Sequence, residues 1–139
     1  MQKKYRLKKN RDFQRVYRRG KSYPAKHMVL IVQRARGEQF LCGFSVSRKV
    51  GNSVTRNRVK RLMRENLRLC IPELKKGYCL VFIARNTAAG ATYSELGRSM
   101  RYLLHKAALF LTDGPDTGNG ARRHKRGPER PQKAPVEAN

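Results

Sequence analysis

The segment YCLVFIA, residues Tyr78–Ala84, limits the possible folds more than any other part of the chain. Nearly every side chain in it is apolar, and most are of the β-branched and aromatic types that favour strands. A half-exposed strand alternates polar and apolar residues, whereas a continuous apolar run is typical of a strand that is covered on both faces or placed centrally. The segment therefore predicts a sheet with this strand in its interior.

Further runs of β-prone residues predict the neighbouring strands. Residues 28–32 and 40–46 are strongly apolar, and the polar turn sequence RARGEQ lies between them. Residues 22–26 can add a short strand, which Pro24 confines to an edge of the sheet. The predicted sheet is therefore small, with three or four strands.

The first helix is predicted close to the N-terminus. Phe13, Val16 and Tyr17 recur at i, i+3 and i+4, which is helical spacing for one apolar face. Asn10 is a candidate N-cap, and Gly20 is a natural terminator.

Two more helices follow the same spacing. One spans about residues 53–70 and ends before Pro72. The other spans about residues 92–112, where Thr92 and Glu95 have the spacing of a capping box. Its predicted core stripe consists of Leu96, Met100, Leu103, Leu104, Ala107 and Leu111.

The order of elements predicts the fold class. A helix, two or three strands, a helix, a strand and a helix form a single α+β sandwich with a small mixed sheet. From residue 113 onward Gly and Pro recur, charges are frequent, and no aliphatic side chain is larger than that of Val136. We therefore predict a folded domain over residues 1–112 and a disordered basic tail over residues 113–139.

The charge of the chain indicates the kind of partner. Lys and Arg number 33 against 9 Asp and Glu, which gives a formal net charge of +24. Such a charge destabilises a compact chain by self-repulsion, so a polyanion is the natural partner. Most of the charge lies in residues 1–112 and not in the tail.

The same sequence argues against membrane insertion and against disulfides. No apolar run approaches the length of a membrane span, and the N-terminal MQKKYRLKKNRDF lacks the apolar stretch of a secretory signal. Cys42, Cys70 and Cys79 are odd in number and widely spaced, with no CxxC pair. We expect a cytoplasmic protein whose cysteines are small buried side chains.

The second predicted helix concentrates its cations on one face. Its apolar face is predicted from Val59, Leu62, Met63, Leu67 and Cys70. The opposite face holds Asn57, Arg61, Arg64 and Arg68, flanked by Arg58 and Lys60. Like charges four residues apart cost an isolated helix about 0.2–0.5 kcal/mol a pair, and Glu65 can offset only one of them. A solvated face is the alternative, but the concentration of arginine favours phosphate binding.

The residues before this helix favour the same interpretation. SVSRKVGNS runs from a strand through Arg48 and Lys49 to Gly51 and Asn52 at the predicted helix N-terminus. The backbone of a turn and the N-terminus of a helix both favour phosphate. The predicted phosphate-binding surface therefore begins before the helix.

Three stretches of the sequence resemble one family. SVSRKVGNSVTRNRVKRLMRE, with Arg56, Asn57 and Arg58 at its centre, resembles the signature of the bacterial ribonuclease P protein subunit. RLKKNRDFQRVYRRG and VFIARNTAA are similar to flanking parts of that family. The resemblance covers about residues 5–112 and leaves out the tail.

The resemblance implies a fold and an activity. The family fold is αβββαβα, and its parallel βαβ unit has a left-handed crossover, where chirality rules alone predict a right-handed one. The family binds a large catalytic RNA, one protein per RNA, and the complex removes the 5′ leader from precursor tRNA. The resemblance implies that the RNA performs the hydrolysis with Mg²⁺ held mainly by its own phosphates, and that the protein holds neither a metal nor a catalytic residue.

The resemblance also implies two sets of site residues. The residues that match the signature expected to face the catalytic RNA are Arg56, Asn57, Arg58, Lys60, Arg61 and Arg64. The charge pattern of the turn and the helix adds Arg48, Lys49, Asn52 and Arg68 to this expected RNA-binding set. The family has a cleft between the first helix and the sheet for the single-stranded leader, and Phe13 and Tyr17 match aromatic positions on its wall. Stacking on bases tolerates any leader sequence, although spacing alone favours core packing for both rings. Ile31 lies where some relatives have an aromatic and is expected to contribute packing to the cleft.

The sequence offers no constellation for an independent nuclease. The acids of the predicted domain are scattered over different elements, whereas metal or acid–base catalysis needs them clustered. His27, His105 and His124 are dispersed as well, and we expect them at the surface or facing RNA. The remaining alternative is a structural RNA-binding protein, such as a ribosomal protein or an RNA chaperone.

Overall fold

The computed structural model describes residues 5–7 and 9–113 and the backbone of residues 122–123. These residues contain three α-helices and five strands, joined in part by the short 3₁₀ turns Ile71–Glu73 and Asn86–Gly90. The helices are α1 (Asn10–Arg19), α2 (Ser53–Cys70) and α3 (Tyr93–Lys106). The strands are β1 (Lys21–Pro24), β2 (Met28–Arg34), β3 (Phe40–Ser45), β4 (Tyr78–Ala84) and β5 (Arg122–Arg123).

The strands form one mixed sheet in the order β3-β4-β2-β1-β5. β4 is an interior strand, as its apolar sequence predicts, with β3 parallel on one side and β2 antiparallel on the other. In the parallel pair Cys42 lies opposite Leu80 and Phe44 opposite Phe82. This parallel pair is connected through α2, and the left-handed sense of that crossover stays a prediction. The α+β class and the order αβββαβα of the main elements are confirmed.

Helices cover both faces of the sheet because the strand residues alternate between them. One face packs against α2 and α3 through a large cluster that includes Leu30, Leu80, Met63 and Leu103, all fully buried. The other face packs against α1 through a smaller cluster around Ile31. Full burial of such a side chain contributes about 1.5–3 kcal/mol each, so both layers stabilise the domain.

α1 and α2 begin differently although both follow the predicted spacing. In α2 the side chain of Asn52 caps the helix by accepting a hydrogen bond from the Thr55 N–H at 2.9 Å. In α1 the capping position is Lys9, which makes no side-chain cap, and Asn10 is the first helical residue. The prediction of Asn10 as an N-cap is therefore wrong by one position.

α3 ends earlier than its apolar stripe predicts. Its predicted capping box between Thr92 and Glu95 is confirmed, but the helix stops at Lys106 and Ala108 adopts φ 57°. The chain then turns back, and Phe110 forms an antiparallel bridge with Leu74. Leu111, predicted in the core stripe, is 61% exposed because this turn points it away from the core.

The predicted boundary between the folded domain and the tail, at residues 112 and 113, stays a prediction. Of the predicted disordered tail, 113–139, the structure describes only Asp113 and the backbone of Arg122–Arg123, which pairs with Lys21 and Ser22 of β1. The rest of the tail, with Val136 and His124, lies outside the described residues. Within the described part of the chain, no helix is long and apolar enough to cross a membrane.

Candidate nucleic-acid interface

α2 presents its charges on the face turned away from the core. Its buried side chains are Val59, Met63, Asn66, Leu67 and Cys70. Asn57, Arg61 and Arg68 are exposed on the other side, and Arg56, Lys60 and Arg64 are half-buried at its margins. The predicted separation of an apolar face and a basic face is therefore confirmed, although the burial of Asn66 was not predicted.

One acid lies among these cations and is paired. Glu65 Oε1 lies 3.4 Å from Arg68 Nη2 across a half-exposed salt bridge. Such an exposed pair contributes little to stability. Because Glu65 pairs with Arg68, it forms no close ion pair with Arg61 or Arg64. The face therefore stays strongly positive.

The turn before α2 places two further cations beside this face. The Val50 N–H donates to the Ser47 carbonyl at 3.0 Å, and the Lys49 N–H donates to the Ser47 hydroxyl at 3.3 Å. Arg48 and Lys49 are exposed on this turn. The Asn52 oxygen is occupied as the helix cap, so Asn52 shapes the interface through the helix start.

The N-terminal segment contributes a cation that the sequence did not reveal. Arg6 forms a parallel bridge with Cys42 of β3, and the Leu7 N–H donates to the Cys42 carbonyl at 2.8 Å. This places Arg6 near Arg64, where partial burial and then the charge of Arg6 lower the pKa of the Arg64 guanidinium. The charge of Arg6 adds to that of Arg64, so the two guanidinium groups form a favourable place for an anion. No local spacing in the sequence connects these positions.

Arg58 bonds through its guanidinium to a loop that is distant in the sequence. Its guanidinium donates from Nη1 to the Ala89 carbonyl at 3.2 Å and from Nη2 to the Ala91 carbonyl at 3.0 Å. That Arg58 faces the catalytic RNA stays a prediction, although both of its terminal nitrogens donate to this loop. Arg56, on the other side of Asn57, has a buried Nε with no hydrogen-bond partner among the described residues.

The three predicted cleft residues lie in the core under α1. Phe13 is 1% exposed, Tyr17 4% and Ile31 0%. The Phe13 ring fills the space over Gly43, where any added Cβ would overlap with it. Burial also raises the pKa of the Tyr17 hydroxyl, which lies near Ser45. Since neither ring offers a face to a base, the core-packing alternative describes these residues in this structure.

The open part of the same sheet face is aliphatic. Val29, Leu41 and Ile83 pack at the edge of the smaller cluster and are only partly buried. Val29 and Ile83 lie side by side in the pairing of β2 with β4. A shallow apolar strip therefore remains beside α1, where the sequence led us to expect aromatic rings.

The described residues do not assemble a metal or acid–base centre. Among them, no group of three or more His, Cys, Asp and Glu is placed to hold a metal ion. All three cysteines are buried thiols, and burial raises the pKa of the Cys42 thiol to about 12. His27 is buried, against expectation, with Nδ1 2.9 Å from the Thr87 hydroxyl. His105 Nδ1 lies 3.1 Å from Asp113 Oδ1 on the surface.

A small mixed sheet that supports one strongly basic helix face defines an α+β protein built to bind a polyanion. A sequence profile of the family described as Ribonuclease P matches residues 1–108. The chain belongs to the ribonuclease P protein family.

Proteins with similar sequences match this chain over most of their own length. The ribonuclease P protein component of Clostridium botulinum strain Langeland is 47% identical over 109 residues, which cover 78% of this chain and 98% of that protein. The corresponding protein of Clostridium perfringens strain SM101 is 50% identical over 110 residues, 74% of this chain and 88% of that protein.

Solved structures of the family share the fold. The RNase P protein of Staphylococcus aureus superposes with a TM-score of 0.71 at 36% identity, covering 76% of this chain and 97% of that one. The RNase P protein of Thermotoga maritima superposes with a TM-score of 0.66 at 27% identity, covering 71% of this chain and 94% of that one.

Proposed function

We propose that this chain is the protein subunit of ribonuclease P, which binds the catalytic RNA and the 5′ leader of precursor tRNA. In this role it assists removal of the leader to give the mature 5′ end of tRNA. One protein binds one RNA, in the cytoplasm. The observation that carries the proposal is the exposed basic face of α2, centred on Asn57 and Arg61, in a chain whose family is ribonuclease P.

The electrostatics of α2 support RNA as the partner. Arginine offers a planar fork that matches phosphate oxygens, so it binds phosphate with both charge and geometry. On this face Arg61 is exposed, and Arg64 lies next to the additional charge of Arg6. The cost of holding these charges together falls when phosphates neutralise them, which couples RNA binding to a more stable interface.

Catalysis is assigned to the RNA in this proposal. Mg²⁺ prefers oxygen ligands and is commonly held by one or two carboxylates together with phosphates. The acids of the described residues are dispersed, and Glu65 and Glu95 are occupied by a salt bridge and a helix cap. The residues present therefore do not fit a magnesium site, and we derive no catalytic step from them.

For the leader, we propose the partly open strip of the sheet beside α1. Val29, Leu41 and Ile83 offer apolar contact to unstacked bases, which accommodates any sequence. Phe13 and Tyr17 belong to the buried cluster against which these three residues pack. The role of the two rings is thereby changed from stacking on bases to holding α1 on the sheet.

Reconstitution tests the proposed function. The full chain is added to a bacterial ribonuclease P RNA at limiting Mg²⁺, and cleavage of precursor tRNA is followed. We expect protein-dependent stimulation, which would be absent at every protein ratio if the chain were a ribosomal protein or an RNA chaperone. Cleavage by the protein without RNA would identify an independent nuclease and contradict the proposal.

A further inference from the structure

The bond between Arg58 and the loop before α3 joins distant parts of the chain. Arg58 lies on α2, and the carbonyls it reaches, those of Ala89 and Ala91, lie 31 and 33 residues later. Each of its two terminal nitrogens donates to one carbonyl, at 3.2 and 3.0 Å. A planar guanidinium can hold two acceptors in this way, whereas a lysine ammonium is a single point on a flexible stem. The side chain is half-buried, so these bonds are shielded from competition by water.

The same loop is held from its other side by the β1–β2 turn. The Arg85 N–H donates to the His27 carbonyl at 2.9 Å. The Thr87 hydroxyl donates to the Lys26 carbonyl at 2.9 Å, and the Arg85 guanidinium donates to the Ala25 carbonyl at 2.9 Å. The loop at residues 85–91 therefore links α2 to the β1–β2 turn.

The position of Arg58 on α2 connects this link to the basic face. Arg58 follows Asn57 directly and lies three residues before Arg61, so it belongs to the same turn of helix as the exposed part of the face. For the Arg58 guanidinium to bind a phosphate, it would have to give up its hydrogen bonds to the Ala89 and Ala91 carbonyls. Arg61 is exposed, and among the described residues its guanidinium has no such bond to give up.

We propose that Arg58 is a positioning residue of the RNA interface and not one of its phosphate ligands. It fixes α2 and the loop at residues 85–91 as one surface, on which Arg61 and its neighbours contact RNA. This inference rests on the proposed function, because it concerns how the same basic face binds RNA.

The salt dependence of RNA affinity separates the two roles. Each phosphate contact adds about 0.9 to the slope of log affinity against log salt. The full chain and the variants Arg58→Ala, Arg58→Lys and Arg61→Ala are titrated against ribonuclease P RNA at several salt concentrations, at a temperature where all are folded. Amide hydrogen exchange of the free proteins is followed at Ala88 and Ala91, whose N–H groups bond within the loop.

We expect Arg58→Ala to weaken RNA binding about tenfold, with an unchanged salt slope and faster exchange at Ala88 and Ala91. Arg58→Lys keeps the charge but cannot bridge both carbonyls, so we expect a similar loss. Arg61→Ala, the matched control, lowers the slope by about one and leaves loop exchange unchanged.

Three results would overturn the inference. A slope reduced by about one in Arg58→Ala, with affinity restored by Arg58→Lys, would make Arg58 a direct phosphate ligand. Faster amide exchange in the loop of Arg58→Ala, with unaltered RNA affinity, would show that the bonds from Arg58 to the loop serve the fold alone. If the wild-type chain itself binds this RNA without salt dependence, the proposed function fails, and the inference fails with it. The titration of the wild-type chain alone identifies this case.

Discussion

Asn66 on α2 and Gly97 on α3 lie in direct contact, so that a Cβ at position 97 would overlap with the Asn66 side-chain oxygen. The Asn66 amide nitrogen donates to the Leu62 carbonyl at 3.0 Å and to the Tyr93 carbonyl at 3.1 Å. Both residues are buried. A polar bond therefore connects the helix with the basic face to the start of α3.

Gly97→Ala tests this contact by the sign of its effect. In an ordinary helix the change stabilises by about 0.8–1 kcal/mol, but here overpacking should reduce the free energy of unfolding by about 1–3 kcal/mol. Gly90→Ala is the control, since a Cβ there meets no atom within 4 Å among the described residues. Urea unfolding measures both, and a stabilised Gly97→Ala would show that Asn66 moves aside without cost.

Phe13→Ala should act on stability before it acts on leader binding. Removing a buried phenylalanine typically costs about 3–5 kcal/mol, and Phe13 is 1% exposed over Gly43. Tyr102→Ala, which removes a half-exposed ring from α3, should change stability much less. A stable Phe13→Ala that selectively loses affinity for long leaders would restore the base-stacking interpretation.

Arg6→Ala should weaken RNA binding without destabilising the fold. Burial and then the charge of Arg6 lower the pKa of the Arg64 guanidinium, so removal of Arg6 should leave the thermal midpoint unchanged or slightly higher. If Arg6 and Arg64 share a phosphate, the salt slope of RNA affinity should fall by about one. Arg36→Ala removes an exposed charge from the β2–β3 turn, and an equal slope change there would show that only net charge matters.

Glu95 should make part of the stability depend on acid pH. The hydrogen bond from the Thr92 N–H holds the pKa of the Glu95 carboxyl below its ordinary value of 4.5. The stabilisation is therefore present above that value and is lost as the pH falls through the lower, folded-state pKa. Thermal midpoints of wild type and Glu95→Gln should differ at neutral pH and converge in acid; a constant difference would contradict the assignment.

Local sequence patterns predicted an element's bounds well where a single strong signal marks them. β4 has the predicted bounds, because its continuous apolar run can be buried only in the interior of the sheet. α2 also has its predicted bounds, since Asn52 caps its start and Pro72 follows its end. α3 was predicted too long because the apolar spacing continues through a turn in which Ala108 takes a left-handed conformation.

The candidate site depended on contacts that no local pattern contains. The bonds of Arg58 reach a loop more than thirty residues away, and Arg6 reaches α2 only by pairing with β3. Phe13 and Tyr17 show the reverse case, because their helical spacing favoured the core while the family resemblance favoured the cleft. Their burial agrees with the spacing.

The affinity of the wild-type chain for ribonuclease P RNA, measured across salt concentrations, tests the central claim most directly. If the basic face of α2 makes six to ten phosphate contacts, affinity should fall roughly 10³–10⁵-fold between about 50 and 200 mM salt. A nearly flat profile would contradict the claim that this face binds the RNA.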